Sequence, residues 1–203
     1  LDDVAKMADQ INKEMPRIDI LINNAGIFKS AESKSKEGHD IRFAVNFFAP
    51  YLLTEKLLPL LRKGTDPRVI NLSSAAQSSV ADAVLNGDMS VSDQEAYAQS
   101  KLALTMWSFY LAEMLTGICV TAVNPGSLLN TKMVAEAFGR HWSPADKGAD
   151  ILYDLAVSDD YKDVTGNYFD NDSGGFSQAH PDAYSKIKID NLMQATKNLL
   201  KVS

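Results

Sequence analysis

A single cysteine, Cys119, rules out any internal disulfide and fits a reducing compartment. It falls in the apolar run Ile118 to Val123, where a buried small hydrophobe is expected. The three histidines are scattered, and no His, Cys, Asp or Glu cluster has metal-ligand spacing, so no metal site is expected. Positive charge is in deficit: 20 Lys and Arg face 26 Asp and Glu, leaving a net charge of -6. No basic stretch offsets that balance, which argues against a nucleic-acid partner. No apolar run approaches the length of a membrane span, and Leu1-Asp2-Asp3 does not open a signal peptide, so a cytoplasmic location is expected. Asn71-Leu72-Ser73 and Asn171-Asp172-Ser173 match the N-glycosylation pattern, but without a secretion signal they are not read as acceptors.

What the chain does have is enough apolar sequence for one domain with a core: 45 % hydrophobic residues in 203. Val4, Met7, Ala8, Ile11 and Met15 recur at helical period. Asp19 to Ile22, Arg68 to Leu72 and Ile118 to Val123 read as short buried strands, with Gly166 to Asp170 as a last one. Helical segments are predicted at about Asp40 to Arg62, Gln94 to Leu115, Met133 to Phe138, from Pro144 to about Val157 with Ser143 as N-cap, and Pro181 to Leu200. Ala75 to Asp93 reads as a long loop with a turn at Asn86-Gly87. No repeat or interdomain linker interrupts the alternation, so one α/β domain is expected over residues 1–203, with a parallel sheet and helices on both faces.

Tyr97-Ala-Gln-Ser-Lys101 lies in the strongest predicted helix. The spacing puts a phenol and an ammonium on one helical face. A neighbouring cation favours the phenolate, and such a tyrosine can exchange a proton near neutral pH, as interconversion of an alcohol and a carbonyl requires. Spacing alone does not single out this pair, because Tyr184 and Lys188 repeat it. The company does. Asn23-Asn24-Ala25-Gly26, Ser73-Ser74 and Asn124-Pro125-Gly126 each follow a predicted strand, and ligands of open α/β sheets bind outside the carboxyl ends of the strands.

With Asn46 and the helix text Val45 to Thr54 added, these residues resemble the short-chain dehydrogenase/reductase family over essentially the whole chain. The long gap from Ser74 to Tyr97 is similar to the retinol-dehydrogenase-like and WW-domain-oxidoreductase-like branch. The resemblance implies a Rossmann-like fold, NAD or NADP as cofactor, and a small alcohol or carbonyl as substrate. It implies Tyr97 as general acid/base, Lys101 as its partner and a ligand of the nicotinamide ribose, and Ser74 rather than Ser73 as the group polarising the substrate oxygen. Asn46 would join a proton relay through its main-chain carbonyl. Independently of the family, Pro50 removes the helical donor to that carbonyl, which predicts a local break in the helix.

Asn24, Ala25 and Gly26 would line the ribose side of the cofactor, and Pro125, Gly126 and Leu128 would face the nicotinamide. Thr131 stands one residue further from Pro125-Gly126 than the family pattern has it. The family's N-terminal strand and glycine-rich loop, which hold the pyrophosphate on backbone N–H groups, have no counterpart here. The expectation is therefore a sheet lacking its N-terminal strand-helix units, with the Asp19 to Ile22 strand left as an apolar edge. Two functions follow: an NAD(P)-dependent oxidoreductase, or a non-enzymatic scaffold or regulatory member that cannot hold the dinucleotide. Val80, Leu85, Met89, Leu128, Met133, Val134, Phe138 and Trp142 are candidates for an apolar pocket suited to a lipophilic substrate, and the resemblance implies a homo-oligomer.

Overall fold

The computed structural model describes residues 1–127, 129–130, 133–135, 139 and 143–201. Its centre is a five-stranded sheet in the order β1 (Ile20–Asn23), β2 (Arg68–Leu72), β3 (Cys119–Asn124), β4 (Asn167–Asp170) and β5 (Gly175–Ser177). The first four strands are parallel and β5 turns back antiparallel. Asn23 pairs with Asn71, Leu72 with Val123 and Asn124 with Asp170, so the carboxyl ends of β1 to β4 form one rim.

Side chains alternate across the sheet, as strand geometry requires. Val69, Val120, Ala122 and Tyr168 face the main core, which is closed by α1 (Asp2–Glu14), α3 (Ala49–Leu61), α5 (Asp93–Met114) and α7 (Lys186–Leu200). Ile70, Leu72, Val123 and Phe169 face the other side, where α6 (Ala145–Val157) supplies Ile151, Leu155 and Ala156. Helices thus lie on both faces, but α6 does not reach β1: Ile20 and Ile22 remain 37 % and 38 % exposed on that side. The apolar edge expected at this strand is present.

A buried polar chain ties the first two strands to the helices. Asn23 donates to Thr54 Oγ1 at 3.1 Å and to Asn71 Oδ1 at 2.7 Å, and Asn71 donates to Ser108 Oγ at 2.8 Å. Asn71 is fully buried, so its glycosylation pattern belongs to an interior hydrogen-bonding residue.

Several sequence expectations shift in detail. The predicted helix from Asp40 to Arg62 is composite: α2 (Ile41–Phe43), a π turn (Ala44–Phe48) and α3. The long loop contains α4 (Asp82–Leu85). Pro144, not Ser143, caps α6, because Pro144 takes an extended conformation and helical geometry starts only at Ala145. The predicted closing helix is split at Ser185 into a 3-10 turn (Pro181–Tyr184) and α7. Strand β5 carried no legible alternation and is held by its pairing with β4. Cys119 is only half-buried, since it opens β3 at the sheet margin and donates its thiol to the Lys162 carbonyl at 3.0 Å.

Candidate active site

An open cleft of about 860 Å³ lies at the carboxyl rim, bounded by the ends of β1, β2 and β3, by α5 and by α6. Ser92 starts α5 by accepting from the Glu95 N–H at 3.2 Å, with Asp93 and Glu95 favourably placed in its first turn. The helix brings Tyr97 and Lys101 into the cleft wall together. The Lys101 ammonium is fully enclosed, donates to the Leu72 carbonyl at 2.6 Å, and lies 5.7 Å from the centre of the Tyr97 ring. Burial lowers its pKa to about 8. Burial also pushes the Tyr97 phenol above its ordinary value, while the neighbouring Ser74 hydroxyl acts in the opposite direction. The expectation that Lys101 brings the Tyr97 pKa down is not met in this arrangement, where desolvation pushes it up.

The two serines after β2 have different surroundings. Ser73 is buried, 2.6 Å from Thr105 Oγ1 and 3.3 Å from the Lys101 carbonyl, so its hydroxyl is committed to α5. Ser74 is the one that meets Tyr97.

Asn46 sits in the π turn with no exposure. Pro50 offers no N–H to the Asn46 carbonyl, and the local bonding is π: the Ala49 N–H reaches back five residues to Ala44. The expected break is therefore present. The Asn46 side chain makes contacts that the sequence reading did not include. Its Oδ1 accepts from the Ile27 N–H at 2.8 Å, and its Nδ2 donates to the Ile27 carbonyl at 3.0 Å and to Ser100 Oγ at 3.0 Å. It clamps the turn after β1 against the helix bearing Tyr97.

Asn24 and Gly26 line the cleft beside Lys101, while Ala25, between them on the same turn, is exposed and does not. A Cβ on Gly26 would lie 3.4 Å from both Lys101 Nζ and Asn46 Oδ1, so glycine keeps that corner open. Pro125 and Gly126 form the opposite lip, with Gly126 at φ 125°, a conformation few other residues adopt. That lip is held from β4: Asn124 donates to Asp170 at 2.7 Å and Asp172 at 2.8 Å, Ser127 donates twice to Asp172, and Asn171 donates to the Pro125 carbonyl at 2.9 Å.

Met133 and Val134 line the cleft as expected, joined by Leu129 and Leu152, which were not foreseen. Val80 and Leu85 pack into the main core instead, and Met89 is exposed, because the α4 loop folds back over the helices. Leu128, Thr131, Phe138 and Trp142 lie outside the described residues. The second Tyr/Lys pair is not on one helix at all: Tyr184 ends the 3-10 turn and stacks on Phe109, while Lys188 in α7 pairs with Asp182 at 2.7 Å.

No group of three or more His, Cys, Asp or Glu able to hold a metal occurs among the described residues, and no helix among them is long and apolar enough to cross a membrane.

Comparison with known proteins gives a concordant picture. A family model described as short chain dehydrogenase matches residues 1–141. Retinol dehydrogenase 13 of Mus musculus is 31 % identical over 191 residues, covering 84 % of this chain and 57 % of its own length. The chain thus spans just over half of that relative. A putative uncharacterized protein from Mycobacterium paratuberculosis shares the fold at a TM-score of 0.76, with 24 % identity over 98 % of this chain and 72 % of that one. A putative short chain dehydrogenase from Shigella flexneri 2a, complexed with NADP, aligns at a TM-score of 0.63 and 27 % identity over 84 % of this chain and 70 % of its own.

Proposed function

The chain belongs to the short-chain dehydrogenase family, and from that premise we propose that it is the catalytic portion of an NAD(P)-dependent oxidoreductase interconverting an alcohol and a carbonyl. The observation that carries the reading is the convergence, in one cleft, of a half-buried phenol, a serine beside it and an enclosed ammonium.

Tyr97 is the general acid/base: its phenol gives a proton to the substrate oxygen during reduction and takes one during oxidation. A phenol that burial pushes up keeps its proton until an oxygen of rising basicity faces it. Ser74 donates to the same oxygen and polarises the carbonyl. Lys101, cationic below about pH 8, offsets the negative charge that Tyr97 acquires. The Asn46 carbonyl, which Pro50 deprives of the usual donor four residues on, continues the proton path away from Lys101.

The residues present fit the nicotinamide end of a dinucleotide. The Lys101 ammonium has donors beyond the one given to Leu72, and it faces the space that Gly26 leaves open. Asn24 and Gly26 take the ribose side, with Pro125 and Gly126 on the nicotinamide side. When bound, the dinucleotide supplies or takes up the two electrons of the redox change.

The apolar side chains of Leu129, Met133, Val134 and Leu152 favour a lipophilic substrate, in keeping with a relative named for retinol. The test is titration of the protein with NADH and NADPH by fluorescence, followed by turnover with retinol and the matching oxidised cofactor. Binding with turnover is expected. No binding at millimolar cofactor overturns the reading and favours a non-enzymatic scaffold.

A further inference from the structure

Ser74 stands just past the end of β2, where no sheet hydrogen bond fixes its peptide, yet the proposed chemistry depends on where its hydroxyl points. Two side chains hold its backbone carbonyl. Tyr168 of β4 donates from its hydroxyl at 3.0 Å, across 94 residues of sequence, and Gln77 donates from Nε2 at 2.9 Å. Gln77 is itself oriented by the His180 N–H, which donates to Oε1 at 3.1 Å. The Ser74 hydroxyl accepts from the Ala76 N–H at 3.1 Å, which sets the direction of the turn. Neither Tyr168 nor Gln77 lines the cleft. The Tyr168 ring is 5 % exposed in the main core, a place that phenylalanine would fill equally well, so packing gives no reason for the hydroxyl. Burial above all, reinforced by Asp170, pushes its phenol far up and keeps it a donor throughout the working pH range.

The geometry points to Tyr168 and Gln77 as positioning residues that lock the Ser74 peptide and thereby aim its hydroxyl at Tyr97. The inference rests on the reading of Ser74 and Tyr97 as the reacting pair. It brings a fourth strand into the site: β4, which already holds the Pro125-Gly126 lip through Asp170 to Asp172, also sets the position of the polarising serine.

The test follows the Tyr97 phenol by carbon NMR of Cζ-labelled tyrosine in the full chain, its resonance assigned by its loss in Tyr97→Phe. Wild type is compared with Tyr168→Phe, Gln77→Met, Ser74→Ala and the double variant Ser74→Ala/Tyr168→Phe. The Ser74 hydroxyl works against the upward push of burial on Tyr97. Tyr168→Phe and Gln77→Met are therefore expected to raise the Tyr97 pKa toward its value in Ser74→Ala, and Tyr168→Phe to have no further effect in the Ser74→Ala background. Turnover is expected to follow, with kcat about five- to tenfold lower, KM unchanged, and that loss also absent from the Ser74→Ala background. A Tyr97 titration identical in wild type, Tyr168→Phe and Gln77→Met overturns the positioning role while leaving the proposed function standing. A Tyr97→Phe variant that still turns over, or a Tyr97 phenol indifferent to Ser74→Ala, removes the Ser74–Tyr97 reading and this inference with it.

Discussion

Complete burial of the Lys101 ammonium works against the folded state, and the pH range in which it does so is defined. Its pKa is about 8 in the fold against 10.5 ordinarily. Between these values the unfolded chain binds more protons, so stability rises with pH across that window; below pH 8 the full penalty, about 3 kcal/mol, is present. Lys101→Met is expected to leave stability at pH 7 unchanged or raised, and to abolish the rise between pH 8 and 10.5, as urea unfolding over that range would register. A Lys101→Met protein less stable than wild type at pH 7 would contradict this. The residues that meet in the cleft were legible because their types and chain order are distinctive. Tyr168 was not, because a hydroxyl meeting a carbonyl 94 residues away leaves no local pattern, and Gln77 was not, because its orientation depends on His180, 103 residues on. The Asn46 side-chain clamp was hidden for the same reason: its partners lie on two other segments.

Elements were legible where one face is apolar and the ends carry clear signals. Arg68–Leu72 emerged at its predicted bounds, and Gly117, at φ 79°, lies in the turn between the Leu115 cap of α5 and β3. The π turn was foreseeable as a break at Pro50, but its type depends on how the surrounding aromatic core packs Phe43, Phe47 and Phe48. Helix α6 approaches the Pro125 lip through Gly148, and this closeness could not be read from sequence. A Cβ there would lie 2.6 Å from Leu129 Cδ1 and 3.3 Å from the Pro125 carbonyl oxygen. The leucine can turn aside, but the carbonyl cannot without moving the lip. Gly148→Ala is therefore expected to cost about 1–3 kcal/mol in urea unfolding, and Gly148→Val more. An alanine variant as stable as wild type would mean that the contact is slack.

At the scale of the sheet, β1 is an edge strand whose Ile20 and Ile22 stay more than a third exposed on one face among the described residues. Ile20 and Ile22 stand beside the cleft with no helix over them among the described residues, the state that the order of motifs implied. Such an edge invites pairing between copies. The 203-residue chain is expected to self-associate in sedimentation velocity, and Ile22→Lys to reduce that association. A wild-type chain that stays monomeric and unfolds cooperatively would count against it. The overall fold was readable because strands and helices alternate and motifs mark the strand ends; the extent of cover over β1 is a tertiary property. The central claim, that Tyr97 handles the proton in an oxidoreductase, is tested most directly by steady-state turnover of Tyr97→Phe in the longest natural form of the protein, alongside NAD(P)H binding. The prediction is loss of at least about a hundredfold in kcat with cofactor affinity retained. Turnover by Tyr97→Phe at the wild-type rate would contradict it.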